Sequence, residues 1–197
     1  AGLEVSGIVR SLDGGETWTD CSAGLIELAD KHDRLKSKIG SDMHTEGMMD
    51  LHSVTISPTH PGTVILANRL GLLVSHDKGD HWEEMGIGKF SDLTYCRDVQ
   101  VFPHNPETLL AAFSDSSRGS AGSLYRSDDF GKTWKRFDHD VSMNSTLMTL
   151  GVSPQTPDRV YCAARKGQVF GTEDGGNTWT EFDLPPFVKD VYAVACA

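Results

Sequence analysis

One eight-residue pattern recurs four times along the chain: SLDGGETW from Ser11, SHDKGDHW from Ser75, SDDFGKTW from Ser127 and TEDGGNTW from Thr172. The common form is Ser/Thr-x-Asp-x-Gly-x-Thr/His-Trp, and consecutive copies start 64, 52 and 45 residues apart. Spacings of that size mark a repeated supersecondary unit rather than a heptad or a helix pair. Each copy reads as a hairpin turn. The aspartate accepts backbone amides across the turn, the glycine takes a positive φ, and the tryptophan returns into an apolar layer. Asp13, Asp77, Asp129 and Asp174, with Trp18, Trp82, Trp134 and Trp179, are therefore expected to be scaffold. They lack the dense alternating carboxylates of a calcium loop.

A second repeat lies between these copies. HSVTISPTHPGTVILAN, RDVQVFPHNPETLLAAF and MTLGVSPQTPDRVYCAA each read as strand, proline-bearing turn, strand. With the aspartate hairpin added, each unit has four strands. A sheet that small must cover both faces, and radial stacking of neighbours does so. The expected fold is all-β, a β-propeller of four-stranded blades. Residues 1–21 form a partial blade and 22–50 a helical or loop insertion. Blades follow near 51–87, 95–138 and 146–184, with the first strand of a further blade at 188–197. Two closures are open. Either the strand around Val191 and Val194 joins the strands around Val5 and Ile8 in a four-bladed ring, or a second polypeptide completes a partial propeller; the second is favoured.

Charge narrows the partners. A formal net charge of −10 with no lysine or arginine run argues against nucleic acid and anionic membranes. Cys21, Cys96, Cys162 and Cys196 form no CxxC pair and are expected to be free, mostly buried thiols, with a disulfide as the other reading. No stretch is apolar for long enough to span a membrane. The expected location is cytoplasmic, with secretion or the periplasm left open.

The four aspartate turns resemble the Asp-box, or BNR-repeat, β-propeller superfamily. That superfamily includes sialidases, xyloglucan-cleaving glycosidases, sortilin-type receptor domains and photosystem assembly factors. The resemblance is greatest to bacterial BNR-like proteins described as glycosyl hydrolases. It covers nearly the whole chain apart from residues 22–50 and implies architecture more than activity, because enzymes, receptors and assembly factors share the turn. It also implies that the aspartate turns stand away from any active site. The Arg-Ile-Pro signature expected of a sialidase is absent.

The irregular face is the expected place for chemistry. It carries the 22–50 link and the polar turn from Ser114 to Ser123, whereas the other face carries the repeated turns. Leu25, Leu28, Leu35 and Ile39 recur at helical intervals in the link, with Ser22 as a candidate cap. Such a helix would be either a lid over the mouth or a cover for one blade.

After it, His44, Glu46, Asp50 and His52 supply four candidate ligands for a divalent metal such as zinc or manganese, against the alternative of a hydrogen-bonded loop. Aligned first strands put His52, Arg97, Met148 and Tyr192 at one register. Candidate catalytic residues are His52, Asp98 and Tyr192, with His52 as a base. Arg97, Tyr95 and Asp190 are candidate substrate-binding residues, Arg97 holding a carboxylate or phosphate of a small anionic ligand. The leading expectation is a hydrolase for a small anionic substrate, with water activated by histidine or metal. The alternatives are a noncatalytic ligand- or protein-binding scaffold and a glycoside hydrolase working through two carboxylates.

Overall fold

The computed structural model describes residues 1–196. It falls into two compact units, Ala1–Gly86 and a second from Ile87 onward. The architecture is all-β apart from one short helix, in antiparallel sheets consistent with propeller-like blades.

The first unit holds a three-stranded sheet of β1 (Gly2–Leu3), β2 (Gly7–Arg10) and β3 (Thr19–Asp20). Its second sheet has four strands in sequential order: β4 (Leu51–Ile56), β5 (Val64–Asn68), β6 (Gly71–Ser75) and β7 (Glu83–Glu84). In the second unit, β8 (Tyr95–Val101), β9 (Leu109–Ser114), β10 (Gly122–Ser127) and β11 (Lys135–Arg136) make one sheet. β12 (Leu147–Val152), β13 (Val160–Ala164), β14 (Val169–Thr172) and β15 (Thr180–Phe182) make another.

Strands β6, β9 and β12 are buried along their whole length. Their near-continuous apolar runs, GLLVS, LLAAFS and LMTLGV, belong to sheets covered on both faces. In the second unit the two sheets share one core. Leu110, Ala112, Leu124 and Phe137 of the first meet Leu147, Leu150, Cys162 and Phe170 of the second.

The four aspartate turns share one local construction. In the third copy Asp129 accepts the Thr133 amide at 2.8 Å and its hydroxyl at 2.7 Å, while Ser127 Oγ accepts the Gly131 amide at 2.7 Å. The first and fourth copies repeat these bonds around Asp13 and Asp174. In the second copy His81 replaces the threonine and places Nδ1 2.6 Å from Asp77. Two consecutive residues in each turn have positive φ: Gly14 and Gly15, Lys78 and Gly79, Phe130 and Gly131, Gly175 and Gly176. The glycine of the motif is thus required by the backbone, and Lys78 and Phe130 occupy a conformation that disfavours a side chain.

The same turns hold the proline turns beside them. The amides of Lys78, Phe130 and Gly175 donate to the carbonyls of Gly62, Glu107 and Asp158 at 2.7, 2.8 and 3.0 Å.

Two expectations for the connecting segments change, and one open alternative is decided. The helix α1 spans Ala23–Lys31 and is followed by a 3-10 turn at Asp33–Leu35, so Leu25 and Leu35 are buried but Ile39 lies beyond both, 40% exposed. Ser22 makes no side-chain cap. Its hydroxyl accepts the Ile8 amide at 3.0 Å and ties the helix start to β2 instead. Nor is α1 a lid over the mouth, because Gly24 packs on the Asp80 carbonyl, where a Cβ would come within 2.2 Å, and Arg34 pairs with Glu84. The helix covers the aspartate-turn end and outer strand of its sheet.

Residues 188–196, expected as a first strand, form no regular strand; Ala197 lies outside the described residues. They rest against β12, with Val194 O and Cys196 N each 3.4 Å from the Cβ position of Gly151. Val191 donates to Arg165 O at 2.9 Å. A strand is made by a ladder to a neighbouring strand, and this bond goes to a turn.

Candidate functional site

The first strands of the three four-stranded sheets carry the same irregularity near their starts. Pairing shifts register between Leu51 and Ser53, between Cys96 and Asp98, and between Leu147 and Thr149. The residues inside these bulges are His52, Arg97 and Met148, three of the four residues aligned from sequence; the fourth, Tyr192, lies in no regular strand. A bulge leaves one residue out of the ladder and re-aims its side chain. Alignment identified the register, but the residue types share no property that announces a bulge.

In the first unit, the four proposed metal ligands have three separate roles. His44 is exposed and places Nε2 2.8 Å from Asp30. Glu46 is buried at the centre of its loop, one oxygen accepting the amides of Ile39, Gly40 and Ser41 at 2.6, 2.9 and 3.1 Å. The amides of Ser41, Ile39 and Gly40 hold its carboxyl below the ordinary glutamate value. Asp50 stands 3.6 Å from His52 Nε2 and 3.3 Å from Arg69. Burial alone would raise the Asp50 carboxyl, but His52 and Arg69 together outweigh it and keep it lowered. Among the described residues, no group of three or more His, Cys, Asp or Glu is placed to hold a metal. The metal set is thereby corrected to a loop-organising glutamate, a surface pair and a buried ionic cluster. The His52 side chain is only 1% exposed within that cluster, a poor position for a base that must reach water.

In the second unit the aligned residues are drawn into neighbours. Arg97 donates to the Tyr95 hydroxyl at 3.4 Å. Asp98 accepts the Leu150 amide at 3.0 Å and the Thr149 hydroxyl at 3.3 Å, tying β8 to β12. This is a tie between sheets, the role a carboxylate takes when its lone pairs satisfy a neighbour's backbone. Tyr192 and Asp190 meet on a residue that sequence reasoning did not single out, Arg165. Its Nε lies 3.5 Å from Asp190, its Nη2 is 3.4 Å from the Tyr192 hydroxyl, and its guanidinium stands 5.8 Å from the centroid of the Tyr192 ring. Tyr192 is 57% exposed.

Arg69 and Arg165 occupy equivalent turns, each just after the second strand of its sheet. Their amides donate to Asp50 O and Thr146 O. The repeated Arg-x-Gly of NRLG and ARKG was the visible signal for both.

Comparison with known proteins agrees on architecture. A family model described as sortilin, neurotensin receptor 3, matches residues 122–194, all within the second unit. No curated protein matches the chain. Among solved structures, the GH74 enzyme of Niastella koreensis superposes with a TM-score of 0.64 at 19% identity, over 90% of this chain and 26% of that one. The GH74 xyloglucanase of Xanthomonas campestris gives 0.65 at 15% identity, over 91% and 27%. An ancestral GH74 enzyme gives 0.63 at 13% identity, over 93% and 22%. The chain thus spans about a quarter of these enzymes. At such identities the likeness establishes the propeller-like fold.

In both units, the described residues include no helix long and apolar enough to cross a membrane.

Proposed function

We propose that this chain belongs to a glycan-acting propeller of the glycoside hydrolase kind, and that its second unit contributes a saccharide-binding surface built on Tyr192, Arg165 and Asp190. The exposed ring of Tyr192 carries this reading. A sugar subsite needs an aromatic platform beside polar groups that fix the hydroxyls, and Tyr192 offers an open ring next to a guanidinium and a half-exposed carboxylate. Similarity of fold to a xyloglucanase over 91% of the chain supports the same substrate class. Glycoside hydrolysis uses two carboxylates. Asp190 is the one at this surface that a saccharide can reach, whereas Asp98 is committed to β12. The expectation of a small-anion hydrolase gives way, since His52 is enclosed beside Asp50, and two of its proposed metal partners, His44 and Glu46, are engaged elsewhere.

Titration with soluble xyloglucan oligosaccharides tests the reading. Tyr192→Ala should weaken binding by about tenfold or more, roughly 1.4 kcal/mol, while Tyr192→Phe keeps most of it. Binding that is absent, or indifferent to Tyr192→Ala, would overturn the proposal. A second reading, a noncatalytic protein-binding scaffold, is favoured by the receptor-family match over residues 122–194 and by the neighbour pairing of Arg97 and Asp98. Unchanged Asp190→Asn affinity together with no release of reducing ends by the wild type would select it.

A further inference from the structure

In the second unit, the polar turn from Ser114 to Ser123 is docked along its length on the start of β12. Ser114 Oγ accepts the Leu147 amide at 2.8 Å, and a Cβ on Gly122 would stand 2.9 Å from the Leu147 nitrogen. Between these two ends lies Thr146, fully buried. Its hydroxyl donates to Ser116 O at 2.9 Å and accepts the Gly119 amide at 2.9 Å. Asp115 closes the turn from the exposed side, accepting the amides of Ser116 and Ser120 at 3.0 and 3.1 Å. A Cβ on Gly119 would collide with the Asp115 carboxylate, so the turn closes this tightly only on glycine.

Arg165 meets the same threonine twice. Its amide donates to Thr146 O at 2.8 Å, and its Nη1 donates to Ser117 O at 3.2 Å, inside the segment that the Thr146 hydroxyl holds. Thr146 thus fixes the root of Arg165 through its carbonyl and the far end through the turn. The other guanidinium nitrogens face Asp190 and the Tyr192 hydroxyl. A guanidinium is a rigid planar fork, so anchoring one nitrogen sets the direction of the rest.

We propose that Thr146 is a positioning residue of the saccharide surface. Its hydroxyl holds Ser116 to Gly119 so that Ser117 O aims Arg165, and Arg165 in turn holds the Tyr192 ring and Asp190. This inference rests on the saccharide reading of those three residues. Thr146 touches no ligand; it acts by removing an ordering cost, because a ring and a carboxylate already in place need not be fixed when the sugar arrives. Valine has nearly the same shape but would leave the Ser116 carbonyl and the Gly119 amide without their buried partner.

Soluble xyloglucan oligosaccharides and the full chain provide the test. Thr146→Val should weaken binding roughly three- to tenfold, the range for a lost hydrogen bond, and Thr146→Ser should restore it. The Arg165 Nε–H and the Gly119 amide should exchange with solvent faster in Thr146→Val than in the wild type. In a Tyr192→Ala background, Thr146→Val should add no further loss, whereas a role confined to stability would lower both backgrounds equally. Because Thr146 is a core position, Asp115→Ala loosens the same turn from its exposed side and should also weaken binding and speed both exchanges. Wild-type affinity in either turn variant, or equal losses in the two backgrounds, would overturn the inference and leave the saccharide reading intact where Tyr192→Ala still binds weakly. Unchanged Arg165 Nε–H exchange in Thr146→Val would overturn the positioning role alone. A wild type that binds no saccharide would overturn both.

Discussion

The first and third aspartate turns have nearly identical hydrogen bonds and different surroundings. Around Asp13 and Asp129 the threonine and serine contacts agree within a few tenths of an ångström. Trp134 nevertheless packs edge-on against Phe113 at 6.4 Å and is buried, while Trp18 faces an open groove. A Cβ on Gly14 would meet nothing within 4 Å, whereas at the corresponding Gly175 it would stand 3.1 Å from Asp158 of the neighbouring proline turn. A turn closes through local bonds, but its tryptophan becomes a core residue only when the other strands of the sheet are present. Local motif and tertiary stabilisation are separable here.

The largest test of that separation is truncation of the two tryptophans. Trp134→Ala should destabilise the second unit by about 3–5 kcal/mol, the range for removing a large buried aromatic. Trp18→Ala should cost below about 1 kcal/mol in urea unfolding. Equal losses would break the comparison.

Substitution at the left-handed turn position is expected to have a smaller, opposite effect. Lys78 at φ 67° lies where Gly14 and Gly175 lie in the sister turns. Lys78→Gly should stabilise the first unit by roughly 0.5–1 kcal/mol, the strain relieved exceeding the entropy lost. No gain in midpoint denaturant concentration would show that the lysine is unstrained.

Acid should loosen the turns of the second unit together. The Thr133 side chain and amide hold the Asp129 carboxyl at about 2, and Thr178 does the same for Asp174. Because these values are depressed from 3.8, their contribution to stability is present above pH 4 and is lost as pH falls toward about 2. Amide exchange at Thr133 and Thr178 should accelerate across that window, and Asp129→Asn should remove the dependence at Thr133 only.

The smallest effect separates the second turn from the others. A hydrogen bond to Asp77, and then its charge, raise the His81 pKa. A raised value stabilises the fold below the ordinary histidine value of 6.5 and loses that contribution as pH rises through the folded-state value. The exposed site makes this a small slope. His81→Thr, matching the first, third and fourth copies, should flatten the thermal midpoint between pH 6 and 8. A slope that survives must come from another group.

Much of the fold was legible in residue order because strands and turns obey short-range rules. The spacing of Ser75, Asp77, Gly79 and Trp82 specifies a backbone path and its bonds, and the alternation in LHSVTI or YCRDVQV specifies faces. The candidate site was legible in register only. Alignment placed His52, Arg97 and Met148 together, but nothing in those side chains revealed the bulges that hold them. The four ligand-like residues of DMHTEGMMDLH also looked equivalent in sequence. In space, His44 went to the surface with Asp30, Glu46 turned into its own loop, and Asp50 met Arg69 across the sheet. The Arg-x-Gly of its turn marked Arg165, but its pairing was not legible, because Asp190 and Tyr192 lie 25 and 27 residues away.

The sequence by itself determined the repeat, the four turn conformations and the strands between them, since each rests on residues within about ten positions of one another. Only the tertiary structure decided which tryptophans are core, that α1 covers a sheet's flank, and that the polar residues at the strand starts are paired. Those outcomes depend on contacts between segments far apart in the chain. Burial and carboxylate partnership are set by what packs opposite, which a local pattern does not encode.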